Sequence, residues 1–154
     1  YNQPVIEAGV VYFIQSGGKA YKLPGRLSGD RLDASPLWTT EPKKDRYYAS
    51  PVVHDGLVYG VTQASVFSAI DAATGKVVYE QNLNLGREQA YPSIALAGKH
   101  LFVSGSSGQT AVIEAGREFK EVGRNKLEPF RSTPVFQGTR MYVRGLKHMY
   151  CIGK

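Results

Sequence analysis

Three histidines, one cysteine and two glycine-rich loops are the features of this 154-residue chain that could supply a base, a metal ligand, a nucleophile or a phosphate cradle. They do not converge. His54 and His100 stand beside turn glycines and His148 follows Gly145-Leu146-Lys147 in a third turn, so the imidazoles are dispersed along the chain. Nucleophilic catalysis needs a hydroxyl or thiol with a base held against it. A structural metal site needs several His, Cys, Asp or Glu in a tight pattern. Cys151 is alone, which excludes an internal disulfide and a cysteine-built metal centre. Gly105-Ser106-Ser107-Gly108 and Gly17-Gly18-Lys19 have the glycine content of a nucleophile elbow or phosphate loop, but neither is followed by a helical pattern, which both devices require. They read as hairpin connections. No catalytic, metal-binding or cofactor-binding residue is assigned.

Binding chemistry is better represented. Lys43-Lys44, Arg46 and Tyr47-Tyr48 interleave cations with aromatics, as surfaces that hold peptides, glycans or single-stranded nucleic acid do. Tyr91-Pro92 and Pro129-Phe130-Arg131 recur in comparable places, so Tyr48, Tyr91 and Phe130 are expected on one common rim. Charge is also uneven. Residues 1–114 carry ten Lys/Arg against ten Asp/Glu, and the entire net charge of +6 lies in residues 115–154. Arg131, Arg140, Arg144 and Lys147 are the expected core of a positive region for an acidic protein or anionic surface; nucleic acid is not the expected partner. The plainer reading is a solvated face that keeps the protein soluble.

The elements that would position these residues are strands. The composition is 42% hydrophobic and 21% charged, ordinary for one globular domain. No apolar run approaches the ~18 residues of a membrane span, and no stretch of ten or more residues holds a helical period. An aromatic follows a turn glycine four times, at Tyr12, Tyr59, Phe102 and Tyr142, spaced 47, 43 and 40 residues apart. Pro4, Pro51, Ile94 and Pro134 precede these aromatics by eight residues, and Leu23, Ile70, Ile113 and Ile152 follow by ten or eleven. A period of about 40–45 with four short apolar segments matches a propeller blade of four strands. The expected fold is all-β, about four antiparallel blades, with units at residues 1–46, 47–88, 89–128 and 129–154.

Within the second unit, Ala69-Ile70-Asp71-Ala72-Ala73-Thr74-Gly75-Lys76-Val77-Val78-Tyr79 resembles the blade signature of the PQQ-like β-propellers, Ala-x-Asp-x-x-Thr-Gly-Lys-x-x-Trp, with Tyr79 in place of the tryptophan. In that signature the aspartate and Thr-Gly build a tight turn and the aromatic packs between blades. The resemblance places Trp38 at the same blade-contact position of the first unit, after a longer loop, and Phe119 as a degenerate partner in the third. The closing Met149–Lys154 segment resembles the last blade strand in the branch that includes outer-membrane-assembly propellers.

Several expectations follow from the resemblance. Four units, the last stopping after its third strand, imply half of a seven- or eight-bladed ring, completed by an upstream segment of the same protein or by a second copy. The family's calcium- and quinone-dependent dehydrogenases use acidic and amide calcium ligands, a tryptophan platform and often a Cys-Cys pair. This chain has one tryptophan, already assigned to a blade contact, and no Cys-Cys, so no cofactor is expected in it. The implied function is a non-catalytic interaction scaffold of the periplasm, cell envelope or exterior. The alternative is the C-terminal half of a quinoprotein oxidoreductase whose ligands lie elsewhere.

Overall fold

Proline at the mouth of a strand, glycine at its far turn and β-branched or aromatic residues between them produce the same meander four times. The computed structural model describes residues 2–24, 35–87 and 89–153. Tyr1, Lys154, Glu88 and the loop expected before Leu37 lie outside these. Sheet one runs β1 (Val5–Glu7), β2 (Val10–Gln15), β3 (Gly17–Lys22) and β4 (Pro36–Thr40), each strand antiparallel to the next. Sheet two is β5 (Val52–His54), β6 (Leu57–Val61), β7 (Val66–Asp71) and β8 (Val77–Asn82). Sheet three is β9 (Ala95–Ala97), β10 (His100–Ser104), β11 (Gln109–Glu114) and β12 (Glu121–Lys126). Sheet four has three strands, β13 (Val135–Gln137), β14 (Arg140–Arg144) and β15 (Met149–Gly153). This is a series of four propeller blades, and no helix is present among the described residues.

The first hairpins explain themselves. Ala8-Gly9 and Asp55-Gly56 both take positive φ at each central residue, the type I′ pattern. Gly98 and Gly138 take positive φ alone, ahead of Lys99 and Thr139, which is the type II′ pattern. Either turn leaves the same register. Tyr12, Tyr59, Phe102 and Tyr142 each pair with the first residue of the preceding strand: Val5, Val52, Ala95 and Val135. The expected equivalence of the four aromatics therefore holds. That of Leu23 does not. Ile70, Ile113 and Ile152 lie opposite Val58, Leu101 and Met141, and the matching residue opposite Val11 is Tyr21. Only Ser16 separates β2 from β3, against four residues in the other blades, and that shortening displaced the count.

Blades stack through alternating faces. Tyr12, Ile14, Ala20 and Trp38 pack on Val53, Val58 and Ile70 of the second blade. Tyr59, Val61, Phe67 and Ala69 pack on Leu101, Val103, Ala111 and Ile113 of the third. Phe102 meets Phe136 of the fourth at 4.8 Å. A hydroxyl ladder joins the entries of successive blades. The N–H of Gln3 donates to Ser50 Oγ, that of Ser50 to Ser93 Oγ and that of Ser93 to Thr133 Oγ1, each at 3.1 Å.

Candidate partner-binding rim

Each connector between blades ends by covering the loop between the second and third strands of the blade it enters. Arg46 O accepts from Gln63 N at 2.7 Å, Gln89 O from Ser106 N at 3.0 Å and Pro129 O from Leu146 N at 3.2 Å. Two acidic side chains complete these caps. Asp45 accepts from Gln63 Nε2 at 2.9 Å and Ala64 N at 3.3 Å. Glu128 Oε1 accepts from Lys147 N at 3.2 Å and His148 N at 2.8 Å. Desolvation opposes the charge on both carboxylates; the N–H groups they accept from, Arg46 N foremost for Asp45 and His148 N foremost for Glu128, outweigh it, so both titrate below the ordinary range. Asp45 and Glu128 each stand fourteen residues ahead of a second-strand aromatic, Tyr59 and Tyr142. That regular spacing was the available signal for the caps, and reading the chain for chemistry alone missed it.

The rim so fixed carries a stack that crosses three blades. The rings of Tyr48 and Tyr91 lie 4.5 Å apart and 20° from parallel. The Arg131 guanidinium carbon sits over the Tyr91 ring, 4.9 Å from its centroid. Arg46 hydrogen-bonds the Tyr48 side chain, which raises the guanidinium pKa further. Phe130 is not part of this rim: it is 1% exposed, turned inward with Pro134, Met141 and Val143. The error is one residue. Tyr48, Tyr91 and Arg131 lie eleven residues ahead of their blade aromatics, whereas Phe130 aligns with buried Tyr47 and Ala90. Adjacent residues in an extended connector point oppositely.

The basic surplus divides between the two rims. At the rim of the first hairpins and the third-to-fourth-strand turns, Lys99, Lys120 and Arg117 have carboxylates, whereas Lys76 and Arg140 make no ion pair among the described residues. Glu114 accepts from Lys99 at 3.0 Å and Lys120 at 2.7 Å, and these two, Lys120 foremost, pull its carboxyl to about 2. Arg117 pairs with Asp71 across the second and third blades. On the connector rim, the side chains of Arg131, Arg144 and Lys147 make no ion pair among the described residues. Ser132 Oγ donates to Arg144 O at 2.8 Å, which ties the end of β14 to the connector. Arg140 begins β14 while Arg144 ends it, about 13 Å away at the rise of a strand. It shares a sheet face with Arg144 but belongs to the opposite rim.

The signature residues have structural roles. Asp71 Oδ1 accepts from Ala73 N at 3.2 Å, Thr74 N at 3.0 Å and Thr74 Oγ1 at 2.9 Å, closing the turn. Lys76 is exposed beyond it. Trp38, Tyr79 and Gly123 occupy one register position, opposite Ala20, Ala69 and Val112 next to a bulge repeated in all three four-stranded sheets. Phe119 is thus not the register partner. It comes from the turn before β12 and meets the Tyr79 ring edge-on at 6.0 Å. Among the described residues, no three His, Cys, Asp or Glu side chains gather as metal ligands.

No family model matches the chain, and no curated protein matches it. Solved structures do. Over 97% of this chain it superposes on BamB from Moraxella catarrhalis with a TM-score of 0.72 at 10% identity, covering 41% of that chain. The computationally designed Ika4 protein aligns with a TM-score of 0.69 at 9% identity, over 97% of this chain and 88% of that one. Quinohemoprotein alcohol dehydrogenase from Comamonas testosteroni aligns at 0.69 and 17% identity, over 92% of this chain and 28% of that one. BamB and the dehydrogenase are PQQ-like β-propellers, and that is the fold of this chain. It spans under half the length of either.

Proposed function

We propose that these blades are a non-catalytic scaffold of the bacterial cell envelope that holds a macromolecular partner at the connector rim. One observation carries the reading: residues from three successive blades, Tyr48, Tyr91 and Arg131, build one continuous stack on a frame that fixes each connector to the strands beneath it. Aromatic and arginine side chains held rigid are the usual anchors of protein interfaces. The likeness to BamB supports an envelope setting, and no helix is long and apolar enough to cross a membrane. The remaining blades of a ring, from the same polypeptide or a second copy, are a further partner in this reading. No quinone is bound by these four blades in it, because the sole tryptophan is committed to a blade contact.

A photo-crosslinking residue at Tyr91, and another at Lys76 on the opposite rim, tests the assignment in a bacterial host. A defined adduct from position 91 that position 76 does not give is the expected result. Identical adducts from both sites overturn the reading.

A further inference from the structure

Building on the partner-binding reading of this rim, we propose that it binds carboxylates, its partner being an acidic, extended protein segment and Arg131 the residue that forks a carboxylate. Arg131 differs from the two arginines that precede it, in the third blade. Arg117 has Asp71, and Arg124 holds Glu121 through two bonds of 2.7 and 2.8 Å, whereas Arg131 meets no acidic side chain among the described residues. Instead it lies exposed over Tyr91. A guanidinium seated on a ring face keeps its in-plane N–H donors directed outward, in a fork that matches the two oxygens of a carboxylate.

The acidic side chains described on the same rim, Asp45 and Glu128, do not satisfy it. Asp45 and Glu128 are turned onto backbone or amide N–H groups of the loops they cap. Glu128 accepts from the Lys147 backbone and leaves the Lys147 side chain exposed. Arg131 thus ends the tyrosine stack without an acidic partner, and the side chains of Arg144 and Lys147, elsewhere in the fourth blade, also make no ion pair among the described residues. Leu146, 71% exposed between Arg144 and Lys147, adds one apolar contact. Tyr48, Tyr91 and Arg131, one residue from each of three successive blade entries, make a line that fits an extended chain, and the guanidinium at its end fits an acidic side chain of that chain. A single exposed leucine is too little to anchor on a lipid surface, which takes a broad apolar face.

Fluorescence anisotropy with labelled decapeptides of alternating Glu and Ala, Gln and Ala, or Lys and Ala tests this. The Glu peptide is expected to bind, the others not. Arg131→Ala and Arg131→Lys should each weaken binding by about tenfold, since lysine keeps the charge and loses the fork. Arg140→Ala, the same charge change on the other rim, should leave binding unchanged. Wild-type affinity in Arg131→Lys, or an equal loss in Arg140→Ala, overturns the proposal by reducing the effect to net charge. Tighter binding of anionic lipid vesicles or of single-stranded oligonucleotide, with the same dependence on Arg131, also overturns it. Equal binding of the Gln peptide, with shifts in the Tyr48 and Tyr91 ring resonances, removes the carboxylate specificity and keeps the rim as a partner contact. If no peptide moves those resonances, both readings fall.

Discussion

Trp38 reaches out of the first blade to donate its indole N–H to Ala72 O at 2.8 Å, laying its ring against Gly75 of the second. A Cβ at Gly75 would stand 2.7 Å from two indole carbons, and the backbone there is at φ +74°. Glycine is thus needed for both the turn and the blade contact. Gly75→Ala is expected to cost about 2–3 kcal/mol, one part left-handed strain and one part a widened interface, read as a lower urea midpoint with an unchanged m-value. The same turn sets an acid response. The Arg117 guanidinium, with Thr74, holds the Asp71 carboxyl at about 2, against roughly 3.9 in an unfolded chain. A depressed carboxyl stabilises fully above its unfolded value and loses that contribution as pH falls through its folded one. The contribution of Asp71 should therefore disappear between about pH 4 and pH 2. Asp71→Asn should flatten that part of the stability profile, measured by urea titration at successive pH values, while Glu114 retains its own share.

The blade as an element is written locally, so its repeat is legible. A turn glycine, an aromatic three or four residues on and an apolar third strand are fixed by hairpin geometry, and the register bears out Tyr12, Tyr59, Phe102 and Tyr142. Connectors keep the same offsets from the blade aromatics, but their residue types do not repeat. Whether Phe130 or Arg131 faces outward is decided by a single residue, and a slip of one exchanges the buried and exposed sets. Leu23 was misplaced for a related reason, the shortened turn at Ser16. The Tyr48–Tyr91 stack was legible only as a recurrence of aromatics; its continuation through a cation was hidden by the neighbouring phenylalanine. The caps give a test at this scale. Removing the carboxylate in Glu128→Ala should free the 145–148 loop without unfolding the blade. Amide exchange at Lys147 and His148 should accelerate by roughly tenfold, the value of a charge-assisted hydrogen bond, with β14 still protected. Equal exchange in variant and parent would show that the loop holds itself.

Across the whole molecule, one interface recurs three times, and its two halves lie open at opposite ends. The first blade leaves Ile6, Phe13 and Leu37 exposed on the face turned away from the second, where Tyr21 also lies. The fourth leaves Val135, Met149 and Cys151 around Tyr142 on the face turned away from the third, with the outer edge of β15 unpaired among the described residues. These positions correspond to residues that pack together inside the chain: Phe13 to Gly60 and Val103, and Met149 to Phe67. Open apolar faces and strand edges of this kind drive association. The isolated chain is therefore expected to self-associate as its concentration rises. Because the contact buries apolar surface, added salt should leave it intact, whereas binding through the cationic rim should weaken steeply as charges are screened. Phe13→Glu and Met149→Glu disable opposite halves. If the two faces mate with each other, either substitution alone should abolish a two-copy closed assembly. If each face pairs with its own kind, either variant should still form dimers through the intact end. Sedimentation velocity over a range of concentration and salt separates these outcomes, and a chain that stays monomeric throughout would show that Arg140 and Arg144, flanking Tyr142 on the open face, keep the end solvated by their charge.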